Sequence, residues 1–341
     1  MSPGAPIRVG IADDSPTVCN LLRALVERAP GMELCGVATD GVEAVELARH
    51  GKPDLLVIDV MMPRLDGLGA TAAIMAEAPT RVLLISSVSE ALQTSLSFQA
   101  IEAGALELIA KPDGREGPER FGERVLEAIR LMAEVPVVHR RRPVALPVHL
   151  PRERRRVVEA VGLVASTGGP PAIASLLSAL EGAGRAAILI AQHMTPGFSE
   201  GFARWLGGVV GRKVEVAREG LPCEPGHIYI APDRSHLEVD ARRRLATPQG
   251  FTSVPCPSGS RLLSSLARVY GAQAAGVVMT GMGDDGASGL LELRRAGGVT
   301  LAQDQGSCVV FAMPHAAHAC GAADLLLPPG ALASMLMDVL G

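Results

Sequence analysis

The sequence predicts an α/β protein that contains two mostly parallel, doubly wound sheets. Over the 341 residues, short apolar runs typical of buried strands alternate with segments of helical periodicity. Only 3% of the residues are aromatic, so aliphatic side chains do most of the packing, as in sheets that helices cover on both faces. A stretch rich in proline and arginine interrupts the alternation once. We therefore expect two domains joined by a linker.

The composition excludes several classes of protein. Apolar residues make up 48% and charged residues 20%, which supports a packed core and argues against disorder as the main state. The formal net charge of −4 argues against a dedicated nucleic-acid binder, which is usually basic. No apolar run reaches about 18 residues and no secretory leader precedes the first strand pattern, so we expect a cytoplasmic protein without membrane insertion. The six cysteines form no CxxC pair, which argues against a disulfide framework and a zinc site.

The first half of the chain contains five strand patterns, and a helical pattern follows each of them. The strands are expected at residues 7–13, 32–38, 54–60, 81–86 and 106–112. The helices are expected from Pro16 onward and at residues 41–51, 68–79, 91–104 and 118–132. Ser15 and Pro16 supply an N-cap and a favourable first helical residue. Strands that alternate with helices in this way form a parallel sheet whose strands all end at one edge.

Polar residues lie where these strands end. Asp13 and Asp14 close the first strand and Asp59 the third, while Ser86 closes the fourth and Lys111 the fifth. Three carboxylates at one edge repel one another unless a cation lies between them, and oxygen ligands favour Mg²⁺. A lysine and a hydroxyl group beside them suit a phosphoryl group. A single aspartate in such a place usually caps a helix, but five placements at one edge favour a binding site.

These residues resemble the receiver domain of two-component response regulators. The matching stretches are ADDS (12–15), IDVMMPRLDG (58–67), ISS (85–87) and AKP (110–112). The resemblance implies a flavodoxin-like (βα)5 fold, which we assign to residues 1–130. It also implies that Asp59 accepts a phosphoryl group from a histidine kinase. The Mg²⁺ ligands that it implies for this transfer are the carboxylates of Asp13, Asp14 and Asp59 and the backbone of Met61.

The same resemblance assigns the two remaining polar residues of this edge. Ser86 takes the position of the switch hydroxyl group, and Lys111 takes the position of the lysine that pairs with the phosphate. Leu108 departs from the pattern, because many receivers carry an aromatic switch residue there. We expect phosphorylation to be unaffected by this departure, while the route by which the switch is transmitted stays open.

The linker is assigned to residues 131–156. The stretch at 133–156 contains four prolines and seven arginines and has no periodic apolar face, as expected of a semi-extended tether. Its basic clusters at 140–142 and 152–156 also suit DNA, an acidic membrane surface or an acidic partner. A solvated tether is the favoured interpretation.

The second half of the chain repeats the α/β alternation. Its strands are expected at residues 157–166, 186–192, 213–218, 227–232, 275–281, 299–304 and 324–328. Residues 236–240 and 243–248 are expected to pair as an antiparallel hairpin. We assign residues 157–341 to this second domain, a doubly wound and mostly parallel α/β sheet with a β-hairpin.

Serine, histidine and aspartate residues follow three of these strands. Ser166 leads into a Thr-Gly-Gly-Pro turn, His193 ends the next apolar run, and Asp284 and Asp285 follow the strand at 275–281. A histidine that takes the serine proton and an aspartate that orients the imidazole form the arrangement that nucleophilic catalysis requires. Glycine turns and free N–H groups at a helix start suit an oxyanion. Each residue alone has a structural explanation, such as a helix cap, but their conjunction favours catalysis.

A dinucleotide site is the competing interpretation of one of these segments. GMGDDG (281–286) fits the pattern G-x-G-x-x-G between a strand and a helix, with Asp304 about 20 residues further on. Two aspartates in the variable positions would oppose an anionic pyrophosphate at the helix start. This interpretation also leaves Ser166 and His193 unexplained.

Five stretches of the second half resemble the catalytic domain of the CheB family of chemotaxis protein-glutamate methylesterases. They are GLVASTGGP (162–170), IAQHMTPGF (190–198), HIYIAPDRSHL (227–237), TGMGDDGASG (280–289) and AQDQGSCVVFAMP (302–314). A receiver followed by this domain is the architecture of that family. The resemblance places the catalytic serine at Ser166, the histidine at His193, the aspartate at Asp285 and a backbone oxyanion donor at Met282.

The implied reaction is the hydrolysis of glutamate γ-methyl esters on the cytoplasmic helices of chemoreceptors, with release of methanol. Deamidation of receptor glutamines is a second implied reaction, and a CheA-type histidine kinase is the implied phosphodonor. The ester hydrolysis requires no cofactor, whereas phosphorylation of the receiver requires Mg²⁺. We expect phosphorylation at Asp59 to shift the enzyme from an arrangement in which the receiver covers the edge at Ser166 toward an open one.

Two departures from the family pattern lie near the expected catalytic edge. Thr195 replaces a proline that is common after the His-Met pair, and the run CPSGSRLL (256–263) places Arg261 near a usual acidic position. Both positions border the expected catalytic edge, so these changes bear on substrate preference rather than on the chemistry. The opposing function is a non-enzymatic regulator with a DNA-binding or scaffold output, and the absence of a helix-turn-helix pattern in the second half argues against it.

Overall fold

The computed structural model describes residues 5–87, 100, 103–112, 117–133, 157–180, 186–194, 196–250, 255–323 and 325–340. The chain divides into two compact units, residues 1–139 and 140–341. Most of the predicted helix at 91–104 and most of the predicted linker lie outside the described residues. In the part of the chain that the structure describes, no helix is long and apolar enough to cross a membrane.

The first unit contains one sheet of five parallel strands. These are β1 (Ile7–Ala12), β2 (Met32–Ala38), β3 (Leu55–Asp59), β4 (Arg81–Ser86) and β5 (Glu107–Ala110). Their spatial order is β2-β1-β3-β4-β5, and every neighbouring pair is parallel. All five predicted strands are thus present, and the order is the flavodoxin-like one in which the chain changes direction beside β1.

Four helices of this unit are described. They are α1 (Pro16–Arg28), α2 (Gly41–Gly51), α3 (Gly67–Glu77) and α4 (Pro118–Ala133). Side-chain oxygens of Asp40 and Asp66 accept backbone N–H groups at the starts of α2 and α3. The last helix runs three residues into the range assigned to the linker, because Met132 and Ala133 are buried in the core.

Both faces of this sheet are buried, as the near-continuous apolar strands predicted. Val9, Ile11 and Val57 pack in one core cluster, which includes Leu22 of α1. Leu56 and Ile58 pack on the other face with residues of α2 and α3. Successive residues of one strand thus enter different cores, and the polar groups of this unit are left at the ends of the strands.

The second unit contains a sheet of seven parallel strands and a separate two-stranded ribbon. The strands of the large sheet are β6 (Ala160–Ala165), β7 (Ala187–Gln192), β8 (Val214–Val216), β9 (Ile228–Ile230), β12 (Ala274–Val278), β13 (Val299–Gln303) and β14 (Leu325–Leu327). The ribbon pairs β10 (Glu238–Val239) with β11 (Leu245–Ala246) in antiparallel register, as predicted. The observed strands of the large sheet are shorter than the predicted runs.

Six α-helices are described in this unit. They are α5 (Gly169–Ala179), α6 (Ser199–Val210), α7 (Gly259–Val269), α8 (Ala287–Arg295), α9 (Ala312–Ala319) and α10 (Pro329–Leu340). The strand order of the large sheet is β14-β13-β12-β6-β7-β9-β8. The chain therefore proceeds from β6 toward one side of the sheet and later returns to build the other side from β12. Such a reversal leaves a crevice at the carboxyl ends of the central strands, where ligands bind in open α/β sheets.

Candidate catalytic and phosphoacceptor sites

Ser166 and His193 lie side by side because β6 and β7 are paired in register. Ala165 pairs with Gln192, so the next residue of each strand is Ser166 and His193, respectively. The His193 N–H donates to the carbonyl of Ala165 at 2.9 Å. Ser166 is half-buried, and the His193 side chain is 19% exposed. The sheet register thus places the predicted nucleophile and the predicted base at one edge.

The segment that follows β12 also contacts Ser166, because β12 is the neighbour of β6 on the side opposite β7. The Ser166 N–H donates to the carbonyl of Thr280 at 3.0 Å. A Cβ atom on Gly281 would lie 2.7 Å from the Ser166 Cβ and 2.2 Å from the Met313 sulfur, so only glycine permits this close approach. Met282 follows at the surface, with a relative exposure of 54%.

Asp285, rather than Asp284, pairs with the histidine. Its Oδ2 lies 2.9 Å from His193 Nε2, and the residue is buried, whereas Asp284 is exposed. The residue pattern alone did not indicate which of the two aspartates pairs with the histidine. The Asp285 side chain also reaches the first turn of α7, where it accepts the backbone N–H groups of Gly259 at 2.5 Å and Ser260 at 2.9 Å.

The start of α7 keeps this carboxylate ionised. Burial alone raises its pKa, but the hydrogen bonds from His193, Ser260 and Gly259 outweigh burial and lower the pKa to about 2. The Ser258 hydroxyl group adds a hydrogen bond to Oδ1 at 3.1 Å. A helix N-terminus favours negative charge, so α7 stabilises the aspartate that orients His193.

The contact with Asp285 occupies one of the two nitrogens of the His193 ring. Because Nε2 is bonded to Asp285, Nδ1 is the nitrogen left to take the serine proton. Within the described residues, Ser166 Oγ makes no hydrogen bond in this state. The contact between Asp285 and His193 is therefore formed, whereas the one between His193 and Ser166 is not. Catalytic hydrogen bonds often tighten only when substrate binds.

Gln192 links the backbones of the two predicted catalytic residues. Its Nε2 donates to the carbonyl of Ser166 and to the carbonyl of His193, both at 2.8 Å, and the residue is 4% exposed. Gly169 lies against the Gln192 carboxamide so closely that a Cβ there would be 2.0 Å from Oε1. Sequence reasoning did not identify Gln192, although a polar residue at the end of a buried strand is a signal that could have found it.

His236 is a second histidine that sequence reasoning missed. It is fully buried, and its Nδ1 accepts the Ser258 N–H at 3.0 Å. Burial lowers the pKa of His236, and the neighbouring Arg261 charge lowers it further, so the ring is neutral. A neutral Nδ1 that accepts this N–H holds the segment that leads into α7 and thereby supports Asp285.

Arg261, a departure from the family pattern, is directed toward the β10–β11 ribbon. Its Nε lies 2.7 Å and its Nη2 2.6 Å from the Glu238 carboxylate. The charge is therefore paired at the ribbon. Thr195, the other departure, lies outside the described residues.

The glycines of the competing nucleotide motif have another explanation in this structure. Gly281 permits the approach to Ser166, while Gly283 and Gly286 adopt φ angles of 86° and 94°, which favour glycine. Asp304 accepts the Ser307 hydroxyl group instead of standing free for a ribose. These glycines and this aspartate thus have structural roles at the crevice.

The predicted acidic residues of the first unit converge at the ends of β1 and β3. One carboxylate oxygen from each of Asp13, Asp14 and Asp59 lies within 4.8 Å of the others. Asp13 and Asp59 are buried, and Asp14 is exposed. Lys111 Nζ lies 2.8 Å from Asp13 Oδ2 and 3.0 Å from Asp59 Oδ2.

This acidic cluster fits a divalent cation. Burial raises the pKa of Asp59 above its ordinary value, although the nearby Lys111 ammonium acts in the opposite direction. Asp59 Oδ1 is buried and has no hydrogen-bond partner within the described residues. A buried oxygen without a donor beside two further carboxylates is the oxygen-rich environment that Mg²⁺ prefers. Met61, the predicted backbone ligand, comes two residues after Asp59 and has a relative exposure of 62%.

Ser86 and Leu108 lie on the neighbouring strands of this unit. Ser86 is fully buried at the end of β4 and pairs with Ala110, and its carbonyl accepts the Lys111 N–H at 2.7 Å. The backbone thus connects the predicted switch hydroxyl residue with the predicted phosphate-binding lysine. Leu108 is half-buried and packs against the core on the face of α2 and α3.

The two units together define a class of protein, a response regulator whose output unit is a hydrolase. A family model described as a response regulator receiver domain matches residues 9–119, and one described as CheB methylesterase matches residues 161–336. The chain belongs to the CheB methylesterase family.

Curated relatives match along almost the whole chain. A protein of Myxococcus xanthus named protein-glutamate methylesterase/protein-glutamine glutaminase 3 is 47% identical over 340 residues, which are 99% of this chain and 95% of the relative. A protein of the same name from Anaeromyxobacter dehalogenans is 42% identical over 97% of this chain and 98% of its own length. The crystal structure of the Thermotoga maritima CheB methylesterase catalytic domain is 31% identical, with a TM-score of 0.51, and covers 53% of this chain and 98% of that one. These relatives establish a chemotaxis methylesterase with a receiver domain and do not favour the regulator and nucleotide alternatives.

Proposed function

We propose that this enzyme hydrolyses glutamate γ-methyl esters on the cytoplasmic helices of chemoreceptors through Ser166, His193 and Asp285, and that phosphorylation at Asp59 stimulates the reaction. The observation that carries the proposal is the Asp285–His193 pair beside Ser166 at the carboxyl ends of adjacent strands. The methylesterase and glutaminase names of the relatives support this substrate class and deamidation of receptor glutamines as a second reaction. The reaction takes place in the cytoplasm, where a CheA-type histidine kinase supplies the phosphoryl group.

Ser166 acts as the nucleophile. His193 Nδ1 takes the hydroxyl proton while Oγ attacks the ester carbonyl, and Asp285 stabilises the imidazolium that forms. The tetrahedral intermediate collapses as His193 returns the proton to the departing methoxide, which leaves as methanol. Water activated by the same imidazole then cleaves the acyl-enzyme and yields the glutamate carboxylate. The same cycle on a glutamine releases ammonia.

Backbone N–H groups beside Ser166 stabilise the oxyanion. Within the described residues, the N–H groups of Thr167 and Met282 donate to no partner. Thr167 directly follows the nucleophile, and the approach of Gly281 to the Ser166 Cβ brings the Met282 peptide to the same place. Two such donors form an effective oxyanion site because they stabilise the charge where it develops.

The first unit serves as the phosphoacceptor. Asp13, Asp14, Asp59 and the backbone of Met61 would hold Mg²⁺, which when bound neutralises charge on the phosphoryl group. Lys111 already lies within 3.0 Å of the Asp59 carboxylate and is placed to pair with the added phosphate. Ser86 supplies the hydroxyl group that responds to the phosphate.

Replacing Asp59 by asparagine is expected to remove the stimulation by phosphodonor. In the presence of Mg²⁺ and a small phosphodonor, methanol release by the wild type should increase, whereas the Asp59→Asn variant has no carboxylate to accept the phosphoryl group. The measurement is methanol release from methylated receptor membranes, with and without phosphodonor. Chelation of Mg²⁺ should also remove the stimulation of the wild type.

Asp66→Asn is the matched control for this experiment. Asp66 accepts the Gly69 N–H as the N-cap of α3, and asparagine caps a helix equally well. This variant should keep the stimulation. Stimulation that persists in Asp59→Asn would contradict the assignment of Asp59 as the phosphoacceptor.

A further inference from the structure

Thr280 occupies a position in the second unit that the proposed mechanism does not use. It follows β12 by two residues and precedes Gly281, and none of its surface is exposed. Its hydroxyl group donates to the carbonyl of Thr167 at 2.9 Å. The same oxygen accepts the N–H of Val309 at 3.0 Å and the N–H of Val310 at 2.9 Å.

These three contacts use the complete hydrogen-bonding capacity of a hydroxyl group. A threonine hydroxyl has one proton to donate and two lone pairs to accept. The Val310 carbonyl lies at 3.3 Å and is the more distant of the two possible acceptors. Among side chains of similar size, only serine carries the same hydroxyl group. Valine has the same shape as threonine but can neither donate nor accept a hydrogen bond.

The backbone of Thr280 makes two further connections. Its carbonyl accepts the Ser166 N–H at 3.0 Å, and its N–H donates to Gln303 Oε1 at 2.9 Å. Gln303 in turn donates to the carbonyl of Ser307 at 2.8 Å. The main chain of one residue thus contacts the nucleophile and, through Gln303, the segment that leads to Val309.

The side-chain and backbone contacts of Thr280 join three segments. These are the turn after the nucleophile (166–168), the segment of the oxyanion donor (280–282) and the segment at 307–310. The Gly281 N–H donates to the Val310 carbonyl at 2.9 Å. A Cβ on Gly168 would lie 2.4 Å from the Val309 Cβ, so the turn and the third segment are in close contact.

We propose that Thr280 is a positioning residue for the hydrolysis. Its hydroxyl group holds the Thr167 carbonyl, and its own carbonyl holds the Ser166 N–H. Because Thr280 also leads through Gly281 to Met282, it fixes the two segments that carry the oxyanion donors relative to Ser166. Thr280 does not contact the reacting atoms itself. The inference rests on the proposed function, because the donors that Thr280 positions are the N–H groups assigned there.

Thr280→Val is expected to lower kcat by ~10–100-fold and to leave KM within about 2-fold of the wild-type value. The range lies below the ~10²–10³-fold cost of removing one oxyanion donor outright. Valine keeps the shape of the side chain but leaves the Thr167 carbonyl and the Val309 and Val310 N–H groups without their partner. Thr280→Ser restores the hydroxyl group and should return kcat to within about 3-fold of wild type. The measurement is methanol release from methylated receptors over a range of receptor concentrations.

Thr300→Val is the matched control. Thr300 is a fully buried threonine and the second residue of the neighbouring strand β13, and it pairs with Gly276, four residues before Thr280. Its replacement is expected to lower Tm without the selective loss of kcat. If Thr280→Val does not fold, Thr280→Ala is measured in its place with the same expected loss.

The outcomes separate this inference from the proposed function. If the wild type is active and Thr280→Val keeps its kcat, the positioning role is overturned. The role is also overturned if both valine variants lose kcat in proportion to their loss of Tm, or if Thr280→Ser is as impaired as Thr280→Val. A wild-type enzyme that releases no methanol overturns the proposed function instead.

Discussion

Replacing Ser166 by alanine is expected to lower methanol release by ~10⁴–10⁶-fold, the range seen when the nucleophile of a serine hydrolase is removed. Alanine keeps the backbone contacts of this position, including the N–H bond to Thr280, but removes the oxygen that forms the acyl-enzyme. His193 and Asp285 then have no proton to transfer, so the loss should fall on kcat. The measurement is methanol release from methylated receptor membranes in the presence of phosphodonor.

The control for this variant is Ser334→Ala. Ser334 is half-buried on α10 and donates its hydroxyl proton to the Gly330 carbonyl within the helix, where alanine is favourable. It should keep full activity. The Ser166→Ala variant should still be phosphorylated at Asp59, because the phosphoacceptor residues belong to the other unit. More than 1% residual hydrolysis by Ser166→Ala would contradict the assignment of this serine as the nucleophile.

The fold and the positions of the candidate site residues could be predicted because both depend on local sequence patterns. Apolar runs and helical periodicity located every described strand of the two large sheets. Since parallel strands end at one edge, residues such as Ser166, His193 and Asp59 were expected there without knowledge of the strand order. The order itself is a long-range property, and nothing in the local periodicity indicates that β12 lies beside β6.

The contacts that the supporting residues of the site make could not be predicted for the same reason. The Thr280 hydroxyl group meets the Thr167 carbonyl across 113 residues of sequence, and Gln192 reaches Ser166 across 26. In the sequence these are ordinary polar residues at strand ends. The family resemblance selected Asp285, but the residue pattern alone did not distinguish it from Asp284, because the N–H groups that hold the carboxylate come from the first turn of α7.

Replacing Asp285 by asparagine is expected to lower kcat by ~10³–10⁴-fold with little change in KM. The carboxylate accepts hydrogen bonds from Ser258, Gly259, Ser260 and His193, and no amide can accept all four. In either orientation of the asparagine side chain, its NH₂ group would face one of these donors. The imidazolium of His193 would also lose its negatively charged partner. The measurement is the steady-state kinetics of methanol release, with the exposed Asp284→Asn as the matched control.

The same substitution should change the acid stability of the enzyme. The pKa of Asp285 is lowered from 3.8 to about 2 in the folded protein, so its contribution to folding is fully present above about pH 4 and is lost as the pH falls toward 2. Asparagine carries no charge, so the fall in Tm between pH 4 and 2 should be smaller in the Asp285→Asn variant than in the wild type. Asp284→Asn should keep both the activity and the acid profile of the wild type. If Asp284→Asn loses as much activity as Asp285→Asn, or if Asp285→Asn keeps more than a tenth of the wild-type kcat, the Asp285–His193 pair is not the catalytic one.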